Sequence, residues 1–113
     1  MRGERFLTRA EQFKTVYTEG NSIASRLIVL KTLRNGKSIS RYGISVSSRV
    51  GNAVVRNRIK RRLREILRLM ELQEGWDFII IARRPAANAS FQELKNSVNN
   101  ALVKAGILIP GTG

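Results

Sequence analysis

The residues with the clearest chemical capacity are basic ones, concentrated between Arg49 and Arg68. Eight of these twenty residues are Lys or Arg, and Glu65 is the one acid among them. Guanidinium and ammonium groups bind phosphate oxygens, and an arginine can hold two oxygens at once. On a helix, these residues would form two adjacent lines along the surface. One line contains Arg56, Lys60 and Arg64, and the other contains Asn57, Arg61, Arg64 and Arg68. Like charges at this spacing repel by a few tenths of a kcal/mol per pair. The unbalanced run therefore predicts a polyanion partner, most often nucleic acid.

The same segment carries a stripe of apolar residues, so it predicts a helix that folds against a core. The stripe comprises Val55, Ile59, Leu63, Ile66, Leu67 and Met70. A solvated helix face and an anionic membrane surface remain as alternative explanations of the charge. Solvated faces normally mix both signs of charge, which favours nucleic acid over a solvated face.

Composition limits the chemistry that the chain itself can perform. The 113 residues carry a net charge of +13, with 42% hydrophobic residues and neither Cys nor His. Disulfides, a zinc site of the usual ligands, histidine general bases and cysteine nucleophiles are therefore excluded. Asp77 is the only Asp, and seven Glu are scattered. A two-metal nuclease needs several carboxylates around ions about 4 Å apart, and no such cluster is apparent.

Length and hydropathy predict one compact domain over residues 1–113. No apolar run approaches the roughly 18 residues of a membrane span. The segment from Met1 to Leu7 is charged and lacks the apolar core of a signal peptide. A cytoplasmic location is the expectation that follows.

Three helices and at least three strands are predicted to position these residues. Thr8 and Glu11 form a capping box for a first helix that stops at Gly20. Strands are predicted over Ile23 to Leu33, with a further break allowed inside that stretch, and over Ser40 to Ser47. Asn35-Gly36 is a hairpin signal between them.

The second half of the chain continues with the basic helix, capped by Asn52 and running to about Leu72. The apolar run Phe78 to Ala82 predicts a central strand covered on both faces. Ser90 and Glu93 form a capping box for a last helix that ends at Gly106 and buries residues that include Phe91. The order α-β-β-(β)-α-β-α predicts a mixed α/β (α+β) fold, a two-layer sandwich. The general rule predicts a right-handed βαβ crossover around the basic helix.

The segment from Gly51 to Glu65, GNAVVRNRIKRRLRE, closely resembles the Arg-Asn-Arg signature of the bacterial ribonuclease P protein subunit. The similarity continues in the stretch Glu11 to Tyr17 followed by Gly20, which resembles the family's first helix. It continues again in Tyr42 to Ser47 and in Asp77 to Arg83, which resemble the strands before and after the signature. The resemblance covers roughly Glu4 to Ala105.

This resemblance implies a partner, a reaction and one unusual feature of the fold. The family's partner is a large catalytic RNA, and together they cut the 5′ leader from precursor tRNA. The resemblance implies that the RNA holds the catalytic magnesium and that the protein contributes no catalytic residue. It also implies a left-handed βαβ crossover, and we follow the resemblance on this point.

The resemblance further implies two binding sites. The RNA subunit is expected to contact the basic helix and the loop before it through Arg49, Arg56, Asn57, Arg58, Lys60, Arg61 and Arg64. Local helix-surface hydrogen bonding is an alternative role for Asn57. Arg62 and Arg68 are less securely assigned, and Gly51 is expected to permit a tight entry into the helix.

The second site is a cleft for the single-stranded leader beside the first helix. Its matching positions are Phe13, Tyr17, Val29, Ser45 and Ser47, with Lys31 at a further family position and Arg9 expected to extend the basic path at the mouth of the cleft. Aromatic rings there can stack on bases, whereas a place in the plain core is the alternative for Phe13 and Tyr17. Lys31 departs from the family, which often has an aromatic residue at this position, so a phosphate contact can replace stacking there.

Three competing classes remain open on sequence grounds. A ribosomal RNA-binding protein shares the basic α/β character, but it leaves an exposed aromatic cleft unexplained. A DNA-binding regulator would place the basic helix in a major groove, but no closely preceding helix completes a helix-turn-helix. A protein-only nuclease would require converging carboxylates.

Overall fold

The computed structural model describes residues 5–109, so any expectation about residues 1–4 and 110–113 lies outside it. The elements are helix α1 (Ala10–Glu19), strands β1 (Asn21–Ala24), β2 (Ile28–Arg34) and β3 (Arg41–Ser45), helix α2 (Ala53–Arg68), strand β4 (Trp76–Ala82), a 3-10 turn (Arg84–Asn88) and helix α3 (Phe91–Ala105). This order confirms the predicted mixed α/β fold. The predicted strand Ile23 to Leu33 is a hairpin of two strands, in which Ser25 N donates to Ile28 O (2.9 Å) at the turn.

The sheet has the order β1-β2-β4-β3. Strand β2 pairs antiparallel with β1 and β4, whereas β3 pairs parallel with β4. The apolar strand β4 is therefore central, as its composition predicts. Strand β3, helix α2 and strand β4 form the expected βαβ unit, and the hand of its crossover stays a prediction.

The hairpin predicted at Asn35-Gly36 is wrong. The chain does turn there, with Gly36 at φ +69°, but β2 and β3 are not neighbours because β4 lies between them. Asn35 N donates to Gly75 O (2.9 Å), and Gly75 N donates to Ile39 O (3.3 Å). The start of β4 thus occupies the place where a hairpin ladder would form. Burial of the apolar β4 on both faces outweighs the local turn signal.

The two faces of the sheet carry different layers. Leu30, Tyr42, Phe78 and Ile80 face the main core together with buried residues of α2 and α3. The opposite face holds a smaller cluster, in which Leu7 and Val16 pack on Ile79. Helix α1 therefore covers only part of its face of the sheet, and this partial cover creates the cleft described below.

Three helix details differ from expectation. Helix α1 begins one residue late, because Gln12 Oε1, not Glu11, accepts from the backbone N–H groups of Thr8 and Arg9. Helix α2 ends at Arg68 rather than near Leu72, since Leu72 pairs with Leu108 in an isolated bridge. Phe91 is 37% exposed rather than buried. The capping box of Ser90 and Glu93 is confirmed (Glu93 N to Ser90 Oγ, 3.1 Å; Ser90 N to Glu93 Oε1, 2.8 Å).

Candidate nucleic-acid interface

Helix α2 is held rigidly at its start and along its apolar face. Val55 N donates to Asn52 Oδ1 (3.0 Å), which confirms the predicted cap and satisfies one of the first free N–H groups of the helix. Ile59 and Leu63 are at most 1% exposed within the core. A Cβ on Gly51 would lie 2.9 Å from Val55 Cγ1, so glycine allows close entry into the helix. The cations of α2 therefore project from a fixed scaffold.

The exposed side of α2 carries three of the seven predicted RNA-binding residues. Asn57, Arg61, Arg64 and Arg68 lie on it at helical spacing, and Arg49 is exposed in the loop before the helix. We call these five residues the basic surface. Arg56 and Lys60 are half-buried on the flank of the helix, with Arg56 Nε buried.

Few carboxylates balance this charge. Within residues 5–109 the ion pairs join Arg9 with Glu11, Arg26 with Glu93 and Arg41 with Asp77, and none involves α2. Arginines that form no ion pair create a positive potential that attracts a polyanion. The basic surface is thus available for phosphate groups.

Arg58 is placed differently from its neighbours on the helix. Its Nη2 donates to Ala87 O (2.9 Å) in the 3-10 turn, and its Nε is buried. Arg62, one helical turn further on, donates from Nη1 to Ala89 O (3.4 Å). Both side chains are directed against the segment between β4 and α3 rather than outward.

The charge of Arg64 also affects the pKa of Tyr42, which lies on the edge strand β3 beneath the helix. Burial raises the pKa of the Tyr42 phenol, and the charges of Arg64 and Arg5 oppose that rise. The Tyr42 ring is 5% exposed and stacks on Phe78 with ring centroids 5.6 Å apart. The positive field of α2 therefore reaches the polar end of a core aromatic residue.

The cleft beside α1 is formed by two rows of residues that cross β2, β4 and β3. In one row, Lys31 lies opposite Ile79 and Ile79 opposite Gly43. Helix α1 covers the centre of this row, because Ile79 is fully buried beneath Val16.

The neighbouring row is the open floor of the cleft. There Val29 lies opposite Ile81, and Ile81 lies opposite Ser45. All three are half-buried, so this part of the sheet face is only partly covered. The predicted residues Val29 and Ser45 therefore come together, whereas Ser47 is exposed beyond the end of β3.

The two aromatic residues of α1 occupy different positions in the cleft wall. The ring of Phe13 rests on Gly43, where a Cβ would come within 2.4 Å of Phe13 Cε1. Glycine at position 43 is therefore what lets the ring approach the sheet. Tyr17 is 37% exposed and is the more accessible ring. Phe13 sets the spacing between α1 and the sheet, whereas the Tyr17 ring remains partly accessible to solvent.

Two predicted cations border the cleft. Lys31 is half-buried and has no carboxylate within ion-pair distance among residues 5–109. Arg9 lies at the start of α1, exposed and 3.6 Å from Glu11 Oε1. An apolar floor, an exposed aromatic ring and an unpaired lysine suit a ligand that has both flat bases and phosphates.

Sequence reasoning missed two residues of this region. Ile81 belongs to the open row, but its position in an apolar run suggested full burial. Arg84 is exposed just after β4, at the sheet end where α2 begins. The doublet of arginines at positions 83 and 84 is the signal in the sequence for a cation at this place.

The described carboxylates do not gather into a metal site. Among residues 5–109, no group of three or more Asp and Glu side chains lies close enough to hold an ion. Asp77 is already bound by Arg41 Nε (2.9 Å), Arg41 Nη2 (2.6 Å) and Asn35 Nδ2 (2.9 Å). The donor set of the described residues therefore does not fit a magnesium ion. No helix within the described residues is both long and apolar enough to cross a membrane.

Fold and site together define a basic α/β protein with a strongly cationic helix and an adjoining cleft. The family model described as Ribonuclease P matches residues 1–106. The chain belongs to this family, whose members are protein subunits of a ribonucleoprotein endoribonuclease of tRNA processing. This confirms the resemblance carried by the Arg-Asn-Arg signature.

Individual relatives agree along nearly the whole chain. The ribonuclease P protein component of Clostridium kluyveri is 43% identical over 100 residues, covering 85% of this chain and 89% of its own. The ribonuclease P protein of Staphylococcus aureus has a TM-score of 0.82 at 34% identity, covering 92% of this chain and 97% of its own. That of Thermotoga maritima has a TM-score of 0.77 at 28% identity, covering 87% and 94%.

Proposed function

We propose that the basic surface binds the catalytic RNA of ribonuclease P and that the cleft beside α1 binds the 5′ leader of precursor tRNA. The observation that carries this proposal is the set of exposed arginines on α2, which lack acidic partners among the described residues. The protein would thereby hold enzyme RNA and substrate RNA together and orient the cleavage site.

The RNA-subunit contact follows from the chemistry of α2. Arg61, Arg64 and Arg68 can each bind phosphate oxygens through paired N–H groups. Asn57 lies one helical turn before Arg61 on the same face and can donate to a phosphate or accept from a ribose hydroxyl. Because the helix is anchored through Asn52 and its buried face, these contacts need little reorganisation of the protein.

The leader contact follows from the shape of the cleft. Tyr17 can stack on a base, and the row Val29, Ile81 and Ser45 can support the next one. Lys31 supplies a cation to a leader phosphate. Such stacking is tolerant of sequence, because every base presents a flat face.

The two sites meet at the carboxyl end of β3. Ser45 ends the open row of the cleft, and the loop that follows it carries Ser47 and Arg49 into α2. A leader that leaves the cleft toward this end would reach the start of the basic helix. The same loop would thus lie between substrate and catalytic RNA, close to the bond to be cut.

Magnesium enters this proposal as an ion held by the RNA subunit. Among residues 5–109 no cluster of three or more carboxylates could hold the ion, and Asp77 is engaged by Arg41 and Asn35. The chain would instead neutralise phosphates with its own cations. This lowers the repulsion between two polyanions and reduces the magnesium concentration that the reaction needs.

The affinity for a bacterial ribonuclease P RNA, measured across salt concentrations, tests the RNA contact. Arg61→Gln and Arg64→Gln should each weaken binding and reduce the slope of log K against log salt by about 0.7 to 0.9. Lys104→Gln removes an exposed cation from α3 and is the matched control, with no change expected. Slopes that are equal in all four proteins would contradict the proposal. Tighter binding of the wild type to ribosomal RNA would favour the ribosomal alternative.

A further inference from the structure

The hydrogen bonds of Arg58 and Arg62 point to a role that differs from phosphate binding. Both residues belong to the basic run of α2, and both donate to carbonyl groups that follow β4. Arg58 Nη2 lies 2.9 Å from Ala87 O, and Arg62 Nη1 lies 3.4 Å from Ala89 O. We call Arg58 and Arg62 the arginine pair.

The carbonyl groups that the pair reaches would otherwise lack partners. The 3-10 turn Arg84–Asn88 bonds internally through Ala86 N to Arg83 O (2.9 Å), and Ala89 N donates to Ala86 O (3.3 Å). The last carbonyls of such a turn have no N–H within it to accept from. A guanidinium donor satisfies them and adds a charge-assisted bond.

The side chain of Arg58 has limited capacity for RNA. Its Nε is buried and has no hydrogen-bond partner among the described residues, and one terminal nitrogen is bound to Ala87. The edge of the guanidinium that includes Nε is therefore closed to a bidentate phosphate contact. Arg58 therefore differs from the exposed Arg61 and Arg64 in its capacity to bind a phosphate.

The turn is held from its other side as well. Arg83 N donates to Leu27 O (2.9 Å), and Arg83 Nη1 donates to Ser25 O (2.6 Å) in the β1–β2 hairpin. Arg84 follows directly, exposed and without an acidic partner within residues 5–109. The turn thus presents one free cation between two anchored sides.

We infer that the arginine pair positions the Arg84–Asn88 turn against α2, so that Arg84 becomes a phosphate contact at a fixed place beside the basic surface. This inference rests on the proposed function for its RNA half. A cation fixed in place loses less freedom on binding than one on a loose loop. Arg58 and Arg62 are accordingly positioning residues, and Arg84 is the residue that touches RNA.

The first arm of the test uses the free protein and needs no RNA. Amide hydrogen exchange is measured at Ala86 and Ala89 in the full chain, for the wild type, Arg58→Gln and Arg61→Gln. The inference predicts exchange about tenfold faster in R58Q and unchanged in R61Q, which marks the local opening of the turn. Equal protection of the turn in R58Q and wild type would overturn the inference, regardless of the affinities measured for the RNA.

The second arm is a double-mutant cycle in the affinity for a bacterial ribonuclease P RNA. R58Q and R84Q should each weaken binding about five- to tenfold, and the double variant should be little worse than either. R58Q combined with R61Q is the control, in which the two losses should multiply. Losses that multiply in the R58Q/R84Q pair would overturn the positioning role even if the turn had loosened.

Two further results are decisive. If R58Q does not fold, Arg62→Gln replaces it in both arms, because its longer bond contributes less to the fold. If the wild type does not bind the RNA at all, the proposed function fails. The RNA half of the inference then fails with it, and the exchange measurement still decides whether the arginine pair holds the turn.

Discussion

Arg41 and Asp77 form a bidentate ion pair across the parallel strands β3 and β4. Arg41 Nε lies 2.9 Å from Asp77 Oδ1, and Arg41 Nη2 lies 2.6 Å from Asp77 Oδ2. The side chains are only 17% and 9% exposed, and the hydrogen bonds that Arg41 donates to Asp77 raise the pKa of Arg41. The pair lies at the start of both strands, where Arg34 also covers the Trp76 ring at 4.6 Å. The pair therefore links β3 to β4 at this end of the sheet, and the opposite end carries the loop to the basic helix.

Breaking this pair should destabilise the protein strongly. Arg41→Met leaves Asp77 as a buried charge without its cation, so the free energy of unfolding should fall by about 3–5 kcal/mol. The measurement is urea unfolding at neutral pH. Arg9→Gln, which breaks the exposed pair with Glu11, is the control and should change stability by less than about 1 kcal/mol.

The double variant Arg41→Met/Asp77→Leu checks the reason for this loss. Replacing both charges with apolar groups removes the unpaired charge, so much of the lost stability should return. If R41M alone costs no more than R9Q, the pair does not hold the sheet as described.

Gly43→Ala should displace α1 and so distort the cleft without affecting the basic surface. The new Cβ would come within 2.4 Å of Phe13 Cε1, so the ring and helix α1 must shift. Overpacking of this kind costs about 1–3 kcal/mol. We expect weaker binding of precursor tRNA with a long leader and unchanged affinity for the catalytic RNA.

A smaller side chain at position 13 provides the matching control. Gly43→Ala combined with Phe13→Leu relieves the collision and should recover part of the leader-dependent affinity. If G43A weakens both RNA interactions equally, its effect comes from a general loss of structure and not from the cleft.

Lys31→Met tests whether the cleft lysine contacts a leader phosphate. Loss of one single-strand phosphate contact should reduce the salt dependence of leader-dependent affinity by about 0.7 in slope. Lys37→Met, which removes an exposed lysine from the turn between β2 and β3, is the control and should leave the slope unchanged. An unchanged slope in K31M would mean that Lys31 serves the cleft only through its apolar stem.

Tyr42 makes a prediction for stability at high pH. Burial raises the pKa of its phenol above the unfolded value of about 10. A group whose pKa is higher in the folded state stabilises the folded protein at pH values below its unfolded pKa. This stabilisation is lost as the pH rises through the folded pKa. The wild type should therefore lose stability relative to Tyr42→Phe above about pH 10. Urea unfolding of both proteins between pH 7 and 11 measures this, and a constant difference across the range would contradict it.

The sequence was most informative where one local preference and the core agreed. Asn52 caps α2 because its side chain can satisfy a free N–H group whatever the surrounding fold. The run Phe78 to Ala82 predicted a central strand, since such a strand needs cover on both faces. In both cases local chemistry and tertiary packing favour the same structure.

The sequence misled where distant residues outweigh a local signal. Asn35-Gly36 forms a turn but no hairpin, because the partner of β2 is a strand about forty residues further along the chain. The spacing of residues along α2 likewise gives no indication that Arg58 donates to Ala87 O. Exposure of Ile81 depends on how far α1 extends over the sheet, which is a property of the assembled layers.

Cleavage of precursor tRNA by a bacterial ribonuclease P RNA at low magnesium tests the central claim most directly. The reaction is compared with and without this protein, on substrates with a long leader and with a leader shortened to one nucleotide. We expect strong stimulation on the long leader and little on the short one, because a short leader leaves the cleft with nothing to bind. Equal stimulation on both substrates would contradict the leader cleft, and no stimulation on either would contradict the assignment of this chain to the catalytic RNA.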